Sequence, residues 1–168
     1  MEEIHGHRVV LRPATEDDRE ALMAVRATPE VRLWWPGDPE TELDEALADP
    51  DTHGFVVVDE GGRTVGFIQW YEEDDPDYRH AGIDIYLSPE IHGRGLGTDA
   101  VRTLARHLIE AEGHHRLIID PAAQNEAAIA CYRKVGFRDV GTMRRYERGA
   151  DGTWHDSLLM DLLADELT

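Results

Sequence analysis

Three closely spaced glycines separate a strand-like segment from a helix-like one, and no other part of the chain restricts the fold so tightly. Residues 82–87 alternate apolar side chains with others, which predicts a strand with two different faces. Residues 98–112 carry apolar side chains at helical spacing and precede Gly113, which predicts a helix. The loop between them, residues 88–97, contains Gly93, Gly95 and Gly97. The chain must therefore pass from a strand through a glycine loop into a helix.

A glycine loop that opens a helix is suited to binding an anion. Consecutive backbone N–H groups are exposed there, the helix dipole adds partial positive charge, and glycine lets a phosphate approach the main chain. The segment lacks the Lys-Ser/Thr pair of a P-loop, and its glycine offsets do not fit the dinucleotide fingerprint. Because a structural turn also explains many glycine clusters, the phosphate interpretation needs a second motif.

The remaining segments predict a mixed sheet covered by helices. Further strands are predicted at residues 7–13, 55–59, 63–71, 116–120, 137–148 and 153–162. Further helices are predicted at residues 15–27, 40–47 and 125–135, with Pro29 ending the first of them. This order predicts an α/β (α+β) fold with a mixed central β-sheet flanked by helices, in a single domain over residues 1–168.

Acidic residues dominate the charge of the chain. The 35 Asp and Glu residues against 17 Lys and Arg give a formal net charge of −18, which disfavours nucleic acid and favours a small polycationic partner. Solubility or a salty habitat would also explain such acidity. No apolar run reaches the length of a membrane span, and the N-terminus has no signal-peptide core, so we expect a cytoplasmic protein without a membrane partner.

Cysteine and histidine give no sign of a metal or nucleophile site. The single cysteine, Cys131, is expected to be a small buried residue rather than a nucleophile. The close histidine pairs, His5 with His7 and His114 with His115, match neither a helical ligand pair nor a site with cysteine partners. We therefore expect both pairs at the surface and no metal site.

Two motifs together resemble the signatures of the GNAT acetyltransferases. Residues 92–98 are similar to the family's pyrophosphate loop, Arg/Gln-x-x-Gly-x-Gly/Ala, with His92 where Arg or Gln is usual. Residues 125–137 resemble the second signature, N-x-x-A-x-x-x-Y-x-K-x-G-F. The resemblance covers nearly the whole chain and implies acetyl-CoA as cosubstrate.

The resemblance also implies where the cosubstrate binds. The strands at residues 82–87 and 116–120 would splay apart and hold the pantetheine arm, with backbone amides of Ile85, Tyr86 or Leu87 polarising the thioester. Asn125 would reach the pantetheine amide, or else cap its helix. The pyrophosphate would lie on His92, Gly93, Arg94, Gly95, Leu96, Gly97 and Thr98.

A closer resemblance is to the aminoglycoside 6'-N-acetyltransferases. It is carried by Trp34-Trp35-x-Gly37, by Gly82-Ile83-Asp84 and by the run from Asp120-Pro121 to Tyr132. It implies direct attack by the 6'-amine of an aminoglycoside in a ternary complex. Another amine, such as a polyamine, an amino-sugar metabolite or a protein N-terminus, stays open. Asp84 and Asp120 argue against a non-catalytic acyl-CoA-binding module, and an acidic interaction protein would have no reason to carry both motifs. The sequence decides neither a role in antibiotic resistance nor whether a homodimer forms.

Two aspartates occupy positions where acetyl transfer needs a carboxylate. Asp84 lies inside an apolar strand and Asp120 ends the neighbouring one, so either could bind an ammonium and accept its proton; a solvated position or a capping role is the plainer alternative. The resemblance implies that Tyr132 protonates the departing thiolate, unless it is a core aromatic. Trp34 and Trp35 would stack on a sugar ring or cover a cation, or act as core or lid aromatics.

Overall fold

A mixed sheet of eight strands forms the centre of the computed structural model, which describes the whole chain, Met1–Thr168. The strand order is β1-β2-β3-β4-β5-β6-β8-β7, and only β5 and β6 are parallel neighbours. The strands are β1 Ile4–His5, β2 Val10–Pro13, β3 His53–Val58, β4 Thr64–Glu73, β5 His80–Leu87, β6 Arg116–Ile119, β7 Arg138–Arg148 and β8 Trp154–Leu163. The helices are α1 Arg19–Arg26, α2 Pro29–Trp34, α3 Pro39–Ala48, α4 Leu96–Glu110 and α5 Glu126–Val135. The predicted mixed sheet flanked by helices is confirmed.

The two faces of the sheet carry separate hydrophobic cores. Alternate residues of β5 point into each of them, as the sequence predicted: Ile83 packs in the core that contains Leu104 of α4, and Tyr86 packs in the core that contains Leu22 of α1. Helices α4 and α5 cover the first face, and α1, α2 and α3 cover the second. Strand β5 is therefore held firmly from both sides.

Strands β5 and β6 separate soon after they meet. They are paired only at Ala81–Leu117 and Gly82–Ile118, whereas β5 stays paired with β4 along its whole length. The splayed pair implied by the family resemblance is present, and it leaves the second half of β5 with one open edge.

The backbone groups on that open edge follow from strand geometry. Ser88 donates its N–H to the Val65 carbonyl at 2.7 Å, and hydrogen-bond direction alternates along an antiparallel strand, so the even-numbered residues of β5 bond to β4. The N–H groups of Ile85 and Leu87 consequently face the open edge, while that of Tyr86 faces β4.

The glycine loop leads directly into α4. Gly93 and Gly95 have φ of 77° and 81°, in the left-handed region that glycine enters without strain. Gly95 is the N-cap, so the helix begins at Leu96, two residues before the predicted start. In its first turn the buried Asp99 accepts the backbone N–H of Arg8 at 2.8 Å, which ties the loop to the N-terminal strands.

The region between β2 and β3 differs from the prediction. Helix α1 ends at Arg26, before Pro29, as predicted for a helix over residues 15–27, but Pro29 also begins the separate helix α2, which was not predicted. Proline suits the first position of a helix because its missing N–H needs no partner there. A short 3-10 turn, Glu16–Asp18, replaces the predicted first turn of α1. None of the helices is long and apolar enough to cross a membrane.

A bulge interrupts the pairing of β7 with β8. The register shifts between the pairs Met143–Ser157 and Glu147–His155, so three residues of β7 stand opposite one residue of β8. Within it, Arg145 has a φ of 49° and donates its backbone N–H to the Asp156 carboxylate at 2.8 Å. Bulges redirect side chains, and this one precedes Glu147, which borders a cavity.

Candidate active site

Two cavities open along the free edge of β5 and share one wall. We call the smaller, of about 330 Å³, the acidic pocket and the larger, of about 530 Å³, the groove. The residues that line both are Trp34, Trp35, Ile85, Asn125 and Tyr132. Ligands bound in the two cavities would therefore meet at this wall.

One end of the groove is formed by the glycine loop. The predicted loop residues that line it are His92, Gly93, Gly95, Gly97 and Thr98. The backbone N–H groups that have no hydrogen-bond partner within the chain are those of Gly93, Gly95, Leu96, Gly97 and Thr98. Because these donors lie at the positive end of the α4 dipole, the loop is suited to binding phosphate.

The glycine pattern of the loop could not predict the positions of three of its side chains, those of Leu96, Arg94 and His92. Leu96 is buried in the core, so only its N–H is available to a ligand. Arg94 does not line the groove, and its carbonyl accepts a hydrogen bond from the Arg8 guanidinium. The exposed His92 ring places Nε2 at 3.1 Å from the Leu87 carbonyl oxygen. His92 thereby braces the loop against the end of β5.

The middle of the groove runs between β5 and α5. The open-edge N–H groups of Ile85 and Leu87 lie on one side and small residues such as Ala128 on the other. Cys131 also lines the groove, with its sulfur 3.2 Å from the Thr98 hydroxyl. Burial raises the pKa of this thiol, so Cys131 is a neutral, partly buried lining residue.

Two α5 residues reach the shared wall. Asn125 caps the helix, because its Oδ1 accepts the Ala128 N–H at 3.3 Å. The helix-cap alternative is therefore correct for the side-chain oxygen. Tyr132 is 8% exposed and packs edge-on against Phe137 at 6.4 Å between ring centroids. Burial raises the pKa of the Tyr132 phenol above its usual value, so the hydroxyl stays protonated at neutral pH. Both residues have structural roles and still border both cavities.

The tryptophan pair forms the opposite side of the wall. Trp34 is the last residue of α2, and the Trp35 ring packs edge-on against Tyr86 at 5.0 Å. The guanidinium carbon of Arg26 lies 5.4 Å from the centroid of the Trp35 ring. Trp35 is therefore fixed from within the protein while it borders both cavities.

Asp84 lies on β5 and borders the acidic pocket. Its Oδ2 accepts a hydrogen bond from Gln69 Nε2 at 3.2 Å across the strand pair. Burial raises the pKa of Asp84, and the Gln69 hydrogen bond opposes this shift only in part.

Asp120 follows the last residue of β6 and borders the same pocket. Burial and the negative charge of Asp84 raise the pKa of Asp120 to about 6, against a lowering effect of the Tyr146 hydroxyl. Neither aspartate forms an ion pair within the chain. The two carboxylates thus repel each other in a pocket where a bound cation would stabilise both.

Two further acids line the pocket, and the sequence did not single them out. Glu147 has no ion-pair partner, and burial together with Asp84 raises the pKa of its carboxyl. Glu42 of α3 has its Oε2 at 2.6 Å from Arg26 Nη1. Glu147 does stand out as an acid among arginines, but strand alternation gives no sign of the bulge that precedes it. Glu42 is reached only through the packing of α3 on the sheet.

The glycine before Asp84 has a packing reason. A Cβ at Gly82 would lie 2.1 Å from Cζ of Tyr71, its cross-strand neighbour on β4. Burial and the charges of Asp84 and Asp120 raise the pKa of the Tyr71 phenol. Gly82 therefore makes room for an aromatic ring beside the two aspartates.

The prediction that both histidine pairs lie at the surface is wrong for His114. This residue is 1% exposed, packs edge-on against Trp70 at 5.9 Å, and places Nε2 at 3.5 Å from Glu72 Oε1. Burial lowers the pKa of its imidazole. The turn at Gly113 folds His114 inward, which pair spacing alone does not reveal. The structure holds no group of three or more His, Cys, Asp or Glu side chains arranged to bind a metal ion.

Comparison with known proteins adds an independent observation. The sequence pattern of the acetyltransferase (GNAT) domain matches residues 8–138. The chain is 31% identical over 156 residues to aminoglycoside N(6')-acetyltransferase type 1 of Klebsiella pneumoniae, covering 80% of this chain and 76% of that protein. It is 34% identical over 116 residues to the N-alpha-acetyltransferase RimI of Mycobacterium tuberculosis, covering 67% and 70% respectively.

The fold has close counterparts among solved structures. Spermidine N-acetyltransferase from Vibrio cholerae, solved in complex with CoA and spermine, superposes with a TM-score of 0.80. The match covers 94% of this chain and 96% of that one at 19% sequence identity, so it speaks for the fold alone.

Proposed function

This chain belongs to the GNAT acetyltransferase family and is an acetyl-CoA-dependent N-acetyltransferase, and we propose that its acceptor is the 6'-amine of an aminoglycoside. One observation carries the proposal: Asp84, Asp120 and Glu147 line one pocket, their pKa values are all raised, and none has an ion-pair partner. A ligand with several ammonium groups is the partner such a pocket favours.

The groove fits the cosubstrate. The free N–H groups at the start of α4 suit its pyrophosphate, and the open edge of β5 between apolar walls suits an extended pantetheine arm. Acetyl-CoA, when bound, supplies an acetyl group activated as a thioester. The N–H groups of Ile85 and Leu87 on the open edge are the donors that would orient this group towards the shared wall.

We assign different parts to the two aspartates. Asp84, held by Gln69 on β5, binds the incoming ammonium and fixes its position. Asp120, with a pKa of about 6, accepts the proton, because a base works best when its pKa lies near the operating pH. Tyr132 keeps its proton at neutral pH and borders both cavities, so its Oη can donate to the departing sulfur.

Glu147 and the two tryptophans of the shared wall support an aminoglycoside as the acceptor. Glu147 supplies a further carboxylate for a second ammonium group of the same substrate. Trp34 and Trp35 give a face on which a sugar ring can stack, and the identity to the Klebsiella enzyme supports the same class of acceptor. A polyamine would use the carboxylates without needing the aromatic wall, and a protein N-terminus would use one carboxylate.

The proposal is tested by CoA release from acetyl-CoA with the purified protein and a panel of amines. The panel holds kanamycin, tobramycin, gentamicin, spermidine and a basic peptide, each at several concentrations. We expect rapid turnover with aminoglycosides that carry a free 6'-amine and none with analogues in which that amine is blocked. Turnover with spermidine or the peptide alone would replace the acceptor and keep the enzyme class.

A further inference from the structure

Arg26 is a charged side chain buried at 3% exposure in the last turn of α1, which is rare unless a specific arrangement holds it. Its Nη1 lies 2.6 Å from Glu42 Oε2, and its Nη2 donates to the carbonyl oxygens of Trp35 and Gly37, both at 3.1 Å. The guanidinium carbon lies 5.5 Å from the ring centroid of Tyr86.

Each of these contacts is with a residue that lines a cavity. Gly37 and Glu42 line the acidic pocket, Tyr86 lines the groove, and Trp35 lines both. The Nε of Arg26 has no hydrogen-bond partner, so the guanidinium is not placed to satisfy all its own donors. The hydrogen bonds, the ion pair and the ring contacts of Arg26 thus all go to residues that line one of the two cavities.

The segment from Trp35 to Gly37 lies between the ends of α2 and α3; all of it lines the acidic pocket, and Trp35 also lines the groove. Trp35 is held as well by its N–H bond to the Val31 carbonyl and by Tyr86, whereas the Gly37 carbonyl is held by Arg26. A Cβ at Gly37 would lie 1.8 Å from Glu42 Oε1, so the glycine and the carboxylate are in close contact. One guanidinium thus fixes the loop, the tryptophan and the carboxylate together.

We propose that Arg26 is a positioning residue for the amine substrate: it acts through the Trp35–Gly37 segment and Glu42 to set the outer wall of the acidic pocket. This inference rests on the proposed acceptor site. Arg26 bonds Glu42 and the Gly37 carbonyl at the acidic pocket and forms no hydrogen bond with the glycine loop, so amine affinity should depend on it more than CoA affinity does. Loss of the guanidinium would loosen the wall and weaken amine binding more than the chemical step.

The test compares Arg26→Met and Arg26→Lys with Arg12→Met. Arg12 forms an ion pair of the same length, 2.6 Å, with the buried Asp18, and neither residue lines the acidic pocket or the groove, so it is a control for the loss of an arginine ion pair. The measurements are the KM and kcat for the amine and the equilibrium affinity for CoA by calorimetry. We expect the amine KM to rise about tenfold in Arg26→Met and less in Arg26→Lys, with kcat and CoA affinity within about twofold of wild type.

Other outcomes separate the possible failures. An amine KM in Arg26→Met equal to that of Arg12→Met would overturn the inference. If Arg26→Met does not fold, Gly37→Ala, which displaces Glu42 and keeps the Arg26 guanidinium, must raise the amine KM instead, and an unchanged KM there would overturn the inference as well. If the wild-type protein acetylates no amine in the panel, the proposed function has failed rather than the part assigned to Arg26.

Discussion

Asp120 carries a negative charge beside Asp84 without a cationic partner in the chain, and this has a cost for folding. Burial, together with the charge of Asp84, raises the pKa of Asp120 from 3.8 to about 6, so its ionisation destabilises the folded protein. The destabilisation is absent below the lower value, grows between the two, and is complete at neutral pH. The two unpaired carboxylates of the proposed acceptor site would therefore lower the stability of the folded protein.

The substitution Asp120→Asn removes the buried negative charge and its repulsion with Asp84. We expect the free energy of unfolding at neutral pH to rise by about 1–2 kcal/mol, after allowance for solvent screening, while kcat/KM falls about 100-fold because the proton acceptor is lost. Thermal unfolding at pH 7.5 and at pH 4.5 checks the first part, since the gain should shrink at the lower pH. A variant that is less stable than wild type at pH 7.5 would contradict the repulsion.

The same pKa sets the pH dependence of the reaction. Asp120 accepts a proton only as the carboxylate, so kcat/KM should rise with pH through about 6 and level off above it. The Asp120→Asn variant should lose this rise, whereas Asp84→Asn should keep it at a lower pH, since the charge of Asp84 raises the pKa of Asp120, and should show a higher amine KM. A profile unchanged by Asp120→Asn would assign the proton acceptor to another residue.

At the scale of elements, the glycine loop and the β7 bulge show what sequence patterns reach. The loop was predicted because left-handed glycines before a helix have a known use, and Gly93 and Gly95 do adopt that conformation. The bulge was not predicted, because Arg145 at a φ of 49° breaks the alternation without a glycine to mark it. No sequence pattern therefore indicated that Glu147 lines the acidic pocket.

The glycine loop can be tested against another left-handed glycine. Gly95→Ala and Gly152→Ala introduce a similar strain, since both positions have a φ near 80° (81° and 78°) and Gly152 lies in the β7–β8 turn. We expect each to lose about 1 kcal/mol of stability, and only Gly95→Ala to raise the KM for acetyl-CoA, about tenfold. Equal KM values in the two variants would argue against a phosphate site in this loop.

At the scale of the whole molecule, the sequence predicted the sheet, its main helices and two aspartates, Asp84 and Asp120, that line the acidic pocket. These followed from local periodicity and from motifs in two successive strand–helix units. Contacts between distant segments escaped it: Arg26 with Glu42, the bulge at Glu147, and His114 folded against Trp70. Such contacts depend on how α1, α3 and β7 pack, which no local pattern records.

The net charge of −18 also acts at this scale. A field of that size attracts a polycationic substrate and repels an anionic one, and salt screens both effects. Between about 0.05 M and 0.5 M NaCl, the KM for an aminoglycoside should rise severalfold. The KM for acetyl-CoA should stay constant or fall over the same range. Equal salt dependence of the two substrates would exclude a part for the surface field.

If the acidic pocket is the proposed acceptor site, it should present one particular amine to the acetyl group. NMR of the product formed from kanamycin after complete turnover locates the acetyl group. We expect a single product acetylated on the 6'-nitrogen. Acetylation at another amine, or a mixture of positions, would contradict it.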